Sequence, residues 1–125
     1  MDKLQLYFLA RALVASVFVA MGLERLLAYG GVLDGGVASL GAGYLAFGLF
    51  ELAAGLLIVC GWQAGWAALV MAAFLAVDAC LAHPFWREQG LQRHGQLLHF
   101  MKNLSAIGGL LLVAQAEWQR RLPPA

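Results

Sequence analysis

The 125-residue chain reads as an all-α integral membrane protein, an antiparallel four-helix bundle of up-down topology, on three observations. Hydrophobic residues make up 62% of it and charged residues 12%, against roughly a quarter charged in soluble domains. The apolar residues fall into four long runs, each near the ~20 residues a bilayer crossing needs. Each run is also interrupted by a charge: Arg11, Glu51, Asp78 and Lys102. A soluble domain of this size could not cover so much apolar surface with so few charges, so lipid is the expected outer solvent. The length fits a single domain over residues 1–125.

The first span runs from about Leu4 to Leu27. Its flank, Met-Asp-Lys, is weakly positive, and the run passes beyond Gly22 with no small-residue cleavage site, so it reads as a retained helix rather than a signal peptide. The second span covers about Ala38 to Cys60, after the glycine-rich connection Tyr29-Gly-Gly-Val-Leu-Asp-Gly-Gly36. Only Gly61-Trp-Gln-Ala-Gly65 separates it from the third, about Trp62 to Ala82, so these two should form a hairpin. The fourth covers about Leu97 to Glu117. Residues 83–96 form an interfacial loop opening with His83-Pro-Phe-Trp86, where aromatic rings beside a proline suit a short helix or re-entrant stretch at the headgroup level.

A charge at mid-bilayer costs roughly 3 kcal/mol on insertion scales, so it is retained where it meets a partner or a cavity. Counting 1.5 Å per residue from the span ends places Arg11 and Glu51 within reach of one another. The same count sets Asp78 near Lys102 and Asn103 in the opposite half. Arg11, Glu51, Asp78, His83, His99, Lys102 and Asn103 are therefore the candidate ligand-binding residues. The competing reading is that the paired charges only fix helix order and rotation. Gly48 and Gly55 share the Glu51 face at helical spacing, which suits close helix approach or room for a flat ligand.

His83, His94 and His99 fall at one end of the bundle. Their spacing is poor for metal ligation and no His-Glu-x-x-His motif is present, so no metal site is expected. Proton exchange by His83 or His99 beside Asp78 and Lys102 suits a side chain that titrates near neutral pH. Cys60 and Cys80 end their helices on opposite sides, too far apart for a disulfide. The net charge of +1 leaves no basic footprint for nucleic acid. Lys3, Arg120 and Arg121 favour cytoplasmic termini.

Several stretches resemble the DoxX family. They are Arg11 with Gly22-Leu-Glu-Arg-Leu26, Phe50-Glu51-Leu-Ala-Ala-Gly55, His83-Pro-Phe-Trp86, Phe100-Met-Lys102-Asn103-Leu, and Gly108-Gly109. The resemblance extends over essentially the whole chain. One departure is Gly65-Trp66, where family members often carry an arginine. The family consists of small four-helix bacterial membrane proteins. Some are membrane subunits of thiosulfate:quinone oxidoreductase, others accompany redox-defence or amine-oxidation systems, and a eukaryotic branch assists assembly of receptor channels.

The resemblance implies a multi-pass inner-membrane subunit of an oxidoreductase system, with a quinone or similar lipophilic molecule among the polar residues. The chain carries no haem-ligation pattern, flavin motif or cysteine cluster, so a soluble redox partner would supply the electrons. Two other expectations belong to different classes. One is a non-catalytic assembly factor or scaffold for a partner membrane protein. The other is small-solute transport by a homo-oligomer, since four helices are few for a complete pathway.

Overall fold

The computed structural model describes residues 1–30 and 41–121. Most of the glycine-rich connection, and Ala38 where the second span was expected to begin, lie outside the described residues. Four long helices account for nearly all of the rest: α1, Lys3–Tyr29; α2, Ala42–Cys60; α3, Ala64–Ala82; and α4, Gly90–Arg121. A 3-10 turn, Phe85–Arg87, precedes α4. No strand occurs among the described residues. Two compact units result, Met1–Ala67 and Ala68–Ala125.

Each helix boundary has a local cause. Asp2 caps α1 by accepting from the Gln5 amide at 2.8 Å, and the Gln5 side chain returns the bond to the Asp2 amide at 3.0 Å. That reciprocal box satisfies two of the amides a helix start leaves without partners. Helix α2 ends on Gly61, whose left-handed φ of +79° lets its amide bond back to Leu57 O at 2.9 Å and Ile58 O at 3.3 Å. Gln63 also takes a positive φ, so the turn occupies Gly61–Gln63 and α3 begins at Ala64, two residues later than hydropathy alone suggests. The last turn of α4 carries Arg120 and Arg121, which oppose the negative end of the helix dipole.

Residues 83–96 depart most from expectation. Only the first part is a connection, because Gly90 to Gln96 already belong to α4. Hydropathy marks where a helix should leave lipid, not where it stops. Gln92, Arg93 and Gln96 are adequate helix formers, so the helix continues through polar sequence. The expected short helix is present as the 3-10 turn, and it packs on α4. Phe85, Trp86 and Phe100 meet edge to face in all three pairings, with centroids 5.2–5.9 Å apart.

Within Met1–Ala67, α1 and α2 lie antiparallel and very close. A Cβ on Gly22 would stand 2.6 Å from the Leu52 amide nitrogen and 2.9 Å from Gly48 O. One on Gly55 would stand 2.9 Å from Val19 Cγ2 and 3.0 Å from the Val19 nitrogen. Backbone therefore meets backbone, which only glycine permits. Arg11, Ala15, Phe18 and Gly22 form the buried stripe of α1, and Gly48, Glu51, Gly55 and Ile58 that of α2. In the second unit, Ala68, Met71, Leu75 and Ala79 are buried on α3, and Leu110, Val113, Ala114 and Glu117 on α4.

The outward positions are apolar as well. Leu13, Leu49, Val77 and Leu112, one from each long helix, are all more than half exposed. By length and composition each of the four helices can cross a membrane.

The glycine contacts yield a stability prediction. Gly22→Ala forces α1 from α2 and should cost about 1–3 kcal/mol, the usual range for overpacking. Gly43→Ala, where a Cβ meets nothing within 4 Å, should be neutral or stabilising by up to about 1 kcal/mol. Unfolding of the detergent-solubilised variants by heat or denaturing detergent reads the difference. Equal effects would mean that the close approach is not a constraint.

Candidate functional site

Glu51 is buried on α2, and its ion pair comes from a residue the sequence reading left aside. Arg25 Nε donates to Glu51 Oε2 at 2.9 Å. The pairing of Arg11 with Glu51 expected from depth counting is replaced by this one, and the helix register explains why. Gly22 abuts Gly48 and Leu52, so Glu51 lies near the level of Gly22. Arg25 is one turn further along α1, whereas Arg11 is eleven residues back, about 16 Å along the axis. That distance exceeds an arginine's reach. Gly48 lets the Arg25 stem pass, since a Cβ there would stand 3.0 Å from Arg25 Cβ. The Arg25 guanidinium then lies over Phe47 at 4.2 Å and Tyr44 at 5.3 Å from the ring centroids. Tyr44, Phe47, Gly48 and Glu51 share one face of α2, so the cation enters between rings and carboxylate.

Arg11 does a different job. Its Nη2 donates to Val59 O at 3.2 Å, at the carbonyl end of α2. The guanidinium fills the place a side chain at Gly61 would take, with Nη1 2.9 Å from an ideal Cβ there. It also lies 5.1 Å from the Phe8 ring centroid and 5.5 Å from that of Tyr7. A cation at a helix C-terminus opposes the dipole and satisfies carbonyls the helix leaves open. Depth counting from a common boundary failed because the first turns of α1 run past the end of α2.

The second unit holds the richer cluster. Asp78, on α3, accepts from Asn103 Nδ2 of α4 through Oδ2 at 2.9 Å. His83, just after α3, places Nε2 3.6 Å from that same oxygen. Its other nitrogen, Nδ1, is 2.8 Å from Gln96 Oε1. The His83 and His99 rings stack with centroids 5.0 Å apart and planes 24° from parallel. Two hydrogen bonds, Asn103 to Asp78 and His83 to Gln96, are thus brought together by the 3.6 Å contact of His83 with Asp78, and His99 is laid against His83.

Lys102 stands outside the cluster. It is exposed and makes no ion pair among the described residues. Successive residues on a helix point about 100° apart, so Asn103 and Lys102 cannot both face Asp78. Asn103 lies on the Gln96–His99 face, and the Asp78–Lys102 pairing expected from depth gives way to Asp78–Asn103.

An open hollow of about 480 Å³ adjoins the cluster, lined by His83, Glu88, Gln92, Gly95, Gln96 and His99. Among the described residues, no group of three His, Cys, Asp or Glu side chains is arranged to hold a metal ion. Cys60 and Cys80 are free thiols. Glu117 is buried and accepts from Arg120 Nη1 at 3.3 Å.

Of the seven sequence candidates, Asp78, His83, His99 and Asn103 come together. Arg11 and Glu51 lie in the other unit in separate contacts, and Lys102 is apart. Glu88, Gln92, Gln96 and Arg25 were missed. The spacing of Gln92, Gln96, His99 and Asn103 at four, three and four residues was a visible helical stripe. Hydropathy starts the fourth span at about Leu97 and so leaves Gln92 and Gln96 outside it, whereas α4 begins at Gly90.

The chain matches no family model, no curated protein and no solved structure.

The Arg25–Glu51 pair predicts measurable coupling. In a double-mutant cycle of Arg25→Gln and Glu51→Gln, the interaction energy should be about 1–3 kcal/mol, as for groups in direct polar contact. Single variants should each destabilise, because each leaves a partly buried charge without its partner. Additive single effects would remove the pair as a stabilising contact.

Proposed function

We propose that this chain is a small multi-pass protein of the bacterial inner membrane that holds a lipophilic, oxygen-bearing molecule of the quinone class. In this reading it acts as the membrane subunit of an oxidoreductase system. The observation that carries it is the Asp78–His83–Gln96 chain, with Asn103 and His99, beside an open hollow. A quinone presents carbonyl oxygens that accept hydrogen bonds and, once reduced, hydroxyls that donate them. A site for both forms needs acceptors and donors side by side. The lining of the hollow supplies both: Glu88 accepts, the Gln92 and Gln96 amides donate and accept, and the two imidazoles do either, with the Asp78–Asn103 bond beside His83.

Four apolar helices with exposed leucines and valines support the membrane setting. Four crossings would return both termini to one side, and Lys3, Arg120 and Arg121 favour the cytoplasm for it. His83, Phe100 and Asn103, which belong to the DoxX-like motifs, are all at or beside the cluster. The chain offers no electron carrier of its own, so a soluble partner would deliver electrons, and the chain would bind the acceptor and manage protons.

A second reading is favoured by Arg11 and Arg25. Each donates from α1 to α2, Arg11 to the Val59 carbonyl and Arg25 to Glu51. A protein built mainly to hold its own helices and grip another membrane protein would use its arginines in this way.

Native mass spectrometry of gently extracted protein, with identification of any released small molecule, separates the two. One quinone-class molecule per chain is expected, lost in Asn103→Leu and in His99→Ala while both variants stay folded and monodisperse. A wild-type protein free of small molecules, retaining a specific protein partner, would sink the quinone reading in favour of the scaffold.

A further inference from the structure

Helix α4 turns one face away from the rest of the protein. At 100° per residue, Met101, Leu104, Ser105, Gly108, Leu112 and Gln115 share a face opposite the buried stripe of Leu110, Val113, Ala114 and Glu117. All six are exposed, Leu112 to 66%. No Asp, Glu, Lys, Arg or His belongs to this face from Met101 to Gln115.

Its level in a bilayer follows from the aromatic residues. Phe100 and Trp118 are eighteen residues apart, about 27 Å along the axis. That is close to the ~30 Å thickness of the hydrocarbon core. Trp118 is exposed at one end, and exposed Trp86 packs on Phe100 at the other, as an interfacial aromatic belt requires. Gly108 then sits near mid-membrane, with Ser105 and Gln115 on either side of it.

Gln115 is the costly residue. Its amide makes no side-chain hydrogen bond among the described residues, and neither does the Ser105 hydroxyl. Ser16, exposed on α1, instead donates to Leu13 O at 2.7 Å. Helical side chains lean towards the helix N-terminus, which from Gln115 means deeper into the membrane. Lys102 leans the other way, towards the boundary at Phe100, and can place its ammonium among headgroups. Gln115 has no such exit and needs a protein partner.

Gly108 shows where that partner comes. A Cβ there would meet nothing within 4 Å, so nothing inside the chain requires a glycine, a poor helix former, at mid-span. Between α1 and α2 this protein uses Gly22 and Gly48 for backbone contact. An outward glycine offers the same contact to a helix from outside.

We infer that this face is the interface of a parallel homodimer, α4 against α4, crossing at Gly108 about a two-fold axis along the membrane normal. A second copy inserted the same way carries Gln115 at the same depth. An amide both donates and accepts, so two Gln115 side chains satisfy each other across the axis. The absence of charge on the face lets two identical surfaces meet without like-charge repulsion. His99 and Asn103 lie on the far side of α4, so the dimer leaves the polar cluster open. This pairing rests on the membrane setting proposed above and not on the quinone-class reading.

Resonance energy transfer between donor- and acceptor-labelled protein in lipid vesicles, over a series of protein dilutions in lipid, tests it. Wild type should dimerise, and Gln115→Leu should weaken the dimer about 3- to 30-fold, the range for an interhelical hydrogen bond. Gly108→Leu, which fills the crossing point, should abolish it, whereas Val77→Leu on the exposed side of α3 should change nothing. Circular dichroism and thermal unfolding check that each variant folds. With Cys60 and Cys80 replaced by alanine, Leu112→Cys should cross-link two copies on oxidation and Val77→Cys should not. A wild type monomeric throughout, or a dimer indifferent to both Gln115→Leu and Gly108→Leu, overturns the inference. Release of the protein from the vesicles by alkaline carbonate would remove the membrane setting itself, and the dimer with it.

Discussion

The approach of Gly22 to the backbone of Gly48 and Leu52 sets the register on which the first half of the protein depends. Two helices whose backbones touch cannot slide by a turn without driving side chains into main chain. The register therefore decides which arginine of α1 meets the carboxylate of α2. Arg25 lands beside Glu51 and between two aromatic rings, and Arg11 lands at the last carbonyls of α2. Glycine at 48 and at 61 makes room for these two guanidinium groups. The same small residues thus permit the helix contact and accommodate its charges.

The two units place their polar groups differently. The first uses strong cations against a carboxylate, helix carbonyls and ring faces, an arrangement that holds geometry. The second uses neutral or switchable groups, two amides, two imidazoles and a carboxylate, next to open space. Groups that can both donate and accept suit a site whose occupant changes protonation. This contrast is why the functional proposal is placed on Asp78, His83, His99 and Asn103 and not on the arginines.

The candidate site was partly legible in the chain. His83-Pro-Phe-Trp86 and Phe100-Met-Lys102-Asn103 drew attention to the correct end of α3 and α4, because polar residues amid apolar ones are conspicuous. Lys102 drew more attention than Asn103 on account of its charge, yet helical rotation gives Asn103 the contact. Gln96 was hidden by treating hydropathy as a measure of helix length. Once α4 is extended to Gly90, its polar stripe runs in helical register from Gln92 to Asn103.

The sequence by itself determined the helical class and the four apolar runs, because helices long and apolar enough to cross a membrane are displayed directly by composition and run length. It also determined the caps at Asp2 and Gly61, which are local matters of a few residues. Pairing across helices was decided only by tertiary structure. An ion pair depends on axial register and rotation together, and an error of about four turns in the first or about 100° in the second exchanges one partner for another. Arg25 in place of Arg11, and Asn103 in place of Lys102, are those two errors.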